Sequence, residues 1–140
     1  MAVPALPTKI KLEIVTPERL LISEEVDEVT IPGSEGYLGI LPGHLPLLTM
    51  LGIGVLTYRK GSQKWSLACS GGFAEVLQDR VIIMADSVER PDEVDLSRAR
   101  SAKEKAERQL SSKEEVNVED TMASLRRASA RIEVAESRNK

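Results

Sequence analysis

Ile10-Lys11-Leu12-Glu13-Ile14 sets apolar and charged residues in strict alternation, the period of a strand with one face buried and the other in water. Val29-Thr30-Ile31 repeats the pattern and stops at Pro32-Gly33. Gly54-Val55-Leu56-Thr57-Tyr58-Arg59 and Trp65-Ser66-Leu67-Ala68-Cys69 flank Lys60-Gly61-Ser62-Gln63, a short hairpin connection. Phe73-Ala74-Glu75-Val76 and Val81-Ile82-Ile83-Met84 flank a further turn at Gln78-Asp79. Short strands with turns this frequent predict a sandwich or barrel, where closure hides the sheet edges.

After Pro91 the period changes. Leu96, Ala99, Ala102 or Lys103, Ala106 and Leu110 follow helical spacing, residues 111–117 are a polar break, and Val118, Met122, Leu125, Ala128, Ile132 and Ala135 make a second stripe. Asp92, Glu93 and Asp95 at the first helix start, Glu119 and Asp120 at the second, and Arg127, Arg131 and Arg138 further along all suit the helix dipole. The expected fold is therefore α+β: an all-β sandwich over residues 1–90, then an antiparallel two-helix hairpin over residues 91–140. The stripes are thin and rich in alanine. Burial contributes only about 25 cal/mol per Å², against ordering costs of order 1–2 kcal/mol per residue. Such a hairpin is marginal alone, so it must lean on another surface and can exchange one support for another.

Composition places the boundary independently. All nine glycines of the 140-residue chain lie at or before Gly72, and residues 92–140 contain no glycine, proline or aromatic residue. Residues 1–90 carry 8 Lys and Arg against 11 Asp and Glu, while residues 91–140 carry 11 of each, so the net charge of −3 belongs to the first part. An acidic chain is a poor general nucleic-acid binder, because neutralising phosphates needs clustered Lys and Arg. The single cysteine, Cys69, cannot close an internal disulfide and is expected to be a small buried hydrophobe in a reducing compartment. The opening MAVPALPTKI lacks the basic start of a signal peptide. Residues 39–58 form a twenty-residue run without charge, long enough to span a bilayer. Its repeated prolines and glycines would break a helix, so it reads as loop and strand, and membrane association must come through a partner.

Candidate chemistry is sparse. Residues 33–44 read GSEGYLGILPGH, but a phosphate-binding P-loop needs Gly-Lys-Ser/Thr where this chain has Gly43-His44-Leu45. Gly52-Ile53-Gly54 runs into a strand rather than the helix a dinucleotide fingerprint requires. These glycines serve turns. His44, the only histidine, has no marked nucleophile or orienting group, and one His with one Cys makes no zinc cluster. It is expected to be structural or interfacial, and the chain not to be an enzyme. Asp95 and Arg98 neighbour each other on a helix face, either as an ordinary pair or as a nucleotide site at a helix start. Arg126, Arg127 and Arg131, with no acid between Asp120 and Glu133, form a basic band: a solvated face, or a docking surface for an acidic partner.

Gly33-Ser34-Glu35-Gly36, the run Leu38-Gly39-Ile40-Leu41-Pro42-Gly43-His44-Leu45-Pro46-Leu47-Leu48, Ser70-Gly71-Gly72-Phe73 with Glu75-Val76, and Val94-Asp95-Leu96-Ser97-Arg98-Ala99 together resemble the epsilon-subunit family of bacterial F-type ATP synthases over essentially the whole chain. The resemblance implies a sandwich followed by a helical hairpin in the central stalk, bound to the gamma subunit and the c-subunit ring. It implies a peripheral location on the cytoplasmic side of the inner membrane, and coupling of proton translocation to ATP synthesis without chemistry in this chain. Ser34, Glu35 and Tyr37 would face the c ring, Tyr37 standing where relatives often carry a charged or polar residue, and His44 would lie towards gamma. The hairpin would either fold on the sandwich or extend into the alpha/beta head and inhibit ATP hydrolysis, with Arg126, Arg127 and Arg131 docking on acidic surface.

No cofactor is implied as required. Some members bind regulatory ATP in the folded form, through residues that fall here on Glu89, Val94, Asp95, Arg98, Ala99, Arg127 and Arg131. One further family arginine falls on Lys105, which keeps the charge but loses the planar fork. The alternatives from other classes are a free-standing cytosolic ATP-sensing protein, which would elute from extracts as a monomer, and an exported adhesion module, against which the missing signal peptide counts.

Overall fold

The structure is a computed structural model, describing residues 5–113 and 115–137; Arg138 lies outside them. Eight strands come first: β1 (Ile10–Val15), β2 (Leu20–Val26), β3 (Glu28–Gly33), β4 (Gly36–Ile40), β5 (Leu47–Met50), β6 (Ile53–Lys60), β7 (Gln63–Val76) and β8 (Arg80–Glu89). A 3-10 turn, Pro91–Glu93, leads into α1 (Leu96–Ser111) and α2 (Val118–Ser137). The architecture is the expected α+β sandwich with a helical hairpin.

Strand order is β2-β1-β8-β7-β6-β3-β4, with β5 pairing β7. The stretches 65–69 and 73–76, expected as two strands, are one. Residues 63–70 of β7 pair with β6, and residues 73–76 pair with β5. Gly71 (φ +69°) and Gly72 (φ +106°) form the joint between them. A Cβ at Gly72 would run into the Met84 carbonyl, so the long strand bends without losing its partner β8 and serves both layers. Pro32 likewise lies inside β3 rather than ending it.

Between the layers lies one core, with Ile10, Leu12, Ile14, Val29, Ile31, Leu56, Val76, Val81 and Ile83 all inaccessible to solvent. The alternation in β1 reads out directly, its odd-even burial following the apolar positions. Cys69 is in this core, and burial, reinforced by Asp86, pushes its thiol up to about 12.

Asp95 caps α1, its carboxylate accepting the Arg98 backbone N–H at 3.1 Å. The Asp95–Arg98 relationship is thus a cap, not a side-chain pair. Asp92 and Glu93 lie in the preceding 3-10 turn rather than in the helix. Asn117 caps α2 through the Asp120 N–H at 3.1 Å. Helix α1 packs on α2, and α2 carries the hairpin's contact with β6 and β7. The expected stripe on α2 holds at Ala128 and Ala135, whereas Val118 is 60% exposed. Buried positions recur at intervals of seven on both helices, at Ala99 and Ala106 and at Thr121, Ala128 and Ala135, a seam of small side chains that lets the helices approach closely. A second face of α2, absent from the expected stripe, is formed by Ala130 and Val134, which pack on Val55 and Ala68.

Candidate functional site

The linker leaves β8 between sandwich and hairpin, and a cleft of about 490 Å³ opens beside it. Glu89 reaches it from the end of β8, Glu93 from the 3-10 turn, Asp95, Arg98 and Ala99 from the start of α1, and Arg131 from α2. Five of the seven residues carried over from the resemblance, Glu89, Asp95, Arg98, Ala99 and Arg131, therefore meet at one place, although the sequence separates them by up to 42 positions.

Across the cleft Arg131 Nε donates to Glu89 Oε1 at 2.7 Å. The Arg98 guanidinium has no ion pair or hydrogen bond among the described residues. A free, exposed guanidinium beside a capped helix start offers five donors to an anion. The sequence marks Glu93 only as an acidic residue at the helix start, not as part of this cleft. Its Oε1 accepts the Arg90 backbone N–H at 3.0 Å and its Oε2 pairs with Arg19 at 2.5 Å. The backbone bond first, then Arg19, holds its carboxyl below the usual range against the opposing effect of burial. Only its position three residues after Arg90, directly before Val94, and the capping arrangement with Arg90 mark it in the chain.

The remaining expected residues stand elsewhere. Val94 packs on the Val55, Ala68, Ala130 and Val134 cluster under the cleft. Arg127 lines a narrow crevice beside Glu89 and Arg131, and its guanidinium reaches Ser124 at 3.4 Å. Lys105 is exposed along α1 and does not line the cleft. Arg126, Arg127 and Arg131 do not form a single band. At 100° per residue Arg127 and Arg131 share one flank of α2, and Arg126 lies on the other, beside Leu125, Glu133 and Tyr37.

Ser34 and Glu35 are the exposed tip of the β3–β4 turn, closed by the Gly33–Gly36 pair and tied to β5 by Ser34 N–H to Met50 O at 2.9 Å. Tyr37 is not part of that tip surface alone. Pairing of β3 with β6 ends at Thr30 and Thr57, and Pro32 has no N–H. The Tyr37 hydroxyl fills the gap, accepting the Val55 N–H at 3.0 Å across Gly54, where any Cβ would collide with it.

His44 lies in the turn before β5, its Nδ1 2.6 Å from the Leu45 carbonyl. At the far end of β5 is a surface the sequence reading missed. Met50 pairs with Phe73 and Phe73 with Met84, so these three share one face, and they are 58%, 49% and 43% exposed. Leu45 and Leu48 extend the apolar surface at 75% and 68% exposure. A patch of this kind marks a partner surface. The signal was present: Val81-Ile82-Ile83-Met84 is apolar on both faces of its strand, which implies that both faces are covered.

Residues 9–91 match the family described as "ATP synthase, Delta/Epsilon chain, beta-sandwich domain", and residues 92–136 match "ATP synthase, Delta/Epsilon chain, long alpha-helix domain". The ATP synthase epsilon chain of Dehalococcoides mccartyi is 50% identical over 134 residues, covering 94% of this chain and 96% of the relative. That of Solibacter usitatus is 46% identical over 132 residues, covering 94% and 98%. Among solved structures, a chain of the Euglena gracilis mitochondrial ATP synthase assembly of OSCP, F1 and c-ring superposes with a TM-score of 0.79 at 26% identity, covering 99% of this chain and 86% of that one. A chain of the Tetrahymena thermophila mitochondrial central stalk and c-ring shares the fold, at a TM-score of 0.56, 13% identity and coverage of 97% and 100%. No helix among the described residues is long and apolar enough to cross a membrane.

Proposed function

The chain belongs to the ATP synthase delta/epsilon family, and on that premise we propose that it is a non-catalytic rotor subunit of the central stalk whose hairpin regulates ATP hydrolysis. In this reading the sandwich seats the subunit. The Met50, Phe73 and Met84 row and, before β5, His44 meet gamma, and the Ser34-Glu35 tip meets the c ring. Attachment to the cytoplasmic face of the inner membrane then runs through those partners. Released from the sandwich, the hairpin extends towards the alpha/beta head, where Arg127 and Arg131 on one flank of α2 and Arg126 on the other dock on acidic surface and hydrolysis is inhibited. ATP in the cleft favours the folded pose, its phosphates bridging Arg98 and Arg131, which belong to different helices.

The observation that carries this reading is the thinness of the docking interface. Helix α2 rests on the sandwich through Ala130 and Val134 on Val55 and Ala68, with Val94 alongside and, among the described residues, one ion pair, Arg131–Glu89. A buried valine contributes about 1.5–3 kcal/mol and a half-exposed ion pair about 0.2–1 kcal/mol, so the hairpin can leave while the sandwich keeps its separate core. The test is truncation after Pro91 in a reconstituted complex. The expected result is a folded subunit that still assembles and supports synthesis, with faster ATP hydrolysis. Unchanged hydrolysis would leave the hairpin a structural appendage.

A further inference from the structure

Linker residues Arg90, Pro91 and Asp92, with β2, β6 and β7, line a second cleft of about 370 Å³, within the size range of small-molecule sites. Its floor is apolar, from core residues Ile22, Tyr58 and Leu67. Its wall is Trp65, stacked on Tyr58 with ring centroids 5.2 Å apart and planes 14° apart, and still 37% exposed. Stacking on Tyr58 uses one face of the indole. The exposed remainder is an aromatic surface already held in place, with Lys60 Nζ over the ring 5.9 Å from its centre, so a planar ring stacks there at little ordering cost by moving that flexible cation aside.

The rim is charged. Arg90 lines the cleft from the linker, half-buried, and one of its nitrogens donates to the Leu21 carbonyl at 2.7 Å. That bond fixes the side chain but uses only part of a guanidinium's five donors. Among the described residues no carboxylate lies within ion-pairing distance of it. A second cation, Lys60, stands 5.9 Å from the centre of the Trp65 ring and is paired at 3.8 Å with Glu24. Asp92, exposed on the same rim, opposes an anion but lies in water, where its field is screened.

An apolar floor, a preset aromatic wall and a fixed guanidinium with no carboxylate at ion-pairing distance among the described residues, Glu93 acting on it only from farther off, are complementary to a planar ring carrying a negative charge. We infer that this cleft is a binding site for a small aromatic carboxylate, stacked over Trp65 and forked by Arg90. The inference is independent of the reading of the Arg98 cleft, with which it shares no residue.

Trp65 is the only tryptophan, so the full-length ¹⁵N-labelled chain gives a single indole N–H resonance that reports this cleft. The probes are 2-naphthoate and its neutral counterpart 2-naphthamide. The expected result is a saturable shift of the indole signal by 2-naphthoate, with 2-naphthamide binding at least about tenfold more weakly, since the charge-assisted fork is lost. Arg90→Gln should weaken 2-naphthoate by a similar factor, and Arg90→Lys by less. No saturable shift at millimolar 2-naphthoate, equal affinity for acid and amide, or undiminished binding by Arg90→Gln would each overturn the proposal. Should Arg90→Gln disturb folding by orphaning the Leu21 carbonyl, the acid–amide comparison on the unaltered chain decides alone.

Discussion

Arg131 on α2 and Glu89 at the end of β8 meet at 2.7 Å, the ion pair that joins hairpin to sandwich. Both side chains remain partly open to solvent. Arg131→Ala is therefore expected to speed amide exchange in α2 around Val134 by no more than about fivefold, since pairs of this kind contribute about 0.2–1 kcal/mol. Glu89→Gln should have a similar effect, and the double variant no more than either alone. Additive effects in that cycle would show that the pair is not the link.

Arg98 carries a charge without a partner among the described residues, beside the Asp95 cap. Arg98→Ala should weaken ATP binding by the isolated chain about tenfold or more, the loss of a charge-assisted contact of about 1.5–3 kcal/mol. The helix itself should persist, because the cap uses the Arg98 backbone and not its side chain. Calorimetry giving equal affinities would remove Arg98 from any nucleotide site.

Phe73 is the centre of the exposed Met50, Phe73 and Met84 row. Phe73→Asp should leave the isolated chain folded, with a melting temperature within a few degrees of the parent, since the side chain is half in water. The same substitution should abolish co-purification with gamma, because it would bury an unpaired carboxylate in an apolar interface. Retention of the complex would assign gamma to a different face.

Glu93 clasps the linker to the β1–β2 turn through Arg19. Its carboxyl is held low, chiefly by the Arg90 N–H, so the clasp is at full strength above the ordinary glutamate range and fades as pH falls through the lowered value. Both partners are partly exposed, so the effect is local rather than global. Exchange at the linker amides, corrected for its intrinsic pH dependence, should rise on acidification in the parent chain. In Glu93→Gln it should already be raised at neutral pH and show no such step. A parent profile matching that of the variant would dismiss the clasp.

How much of this was legible beforehand depends on whether the cause is local. Strand alternation from Ile10 to Ile14, the loss of glycine and aromatics beyond the linker, and the helical spacing of Leu96, Ala99 and Ala106 are local consequences of burial period and backbone preference, and they were enough to establish a sandwich followed by a hairpin. The motif opening at Val94 also located the start of α1 and three residues that line the cleft beside it, Asp95, Arg98 and Ala99.

Tertiary structure decided what each element faces. Ala130 and Val134 become a buried face only because Val55 and Ala68, paired on β6 and β7, offer them an apolar surface some seventy residues away in the chain. Arg126 parts from Arg127 and Arg131 because α2 lies down on that surface and assigns its two flanks to different neighbours. Tyr37 is drawn to β6 by a backbone N–H left open where Pro32 ends the pairing. Gly71 and Gly72 join two apparent strands into one because β8 accompanies the chain through the bend. In each case the partner is remote in sequence, and periodicity records that a position is covered without recording by what.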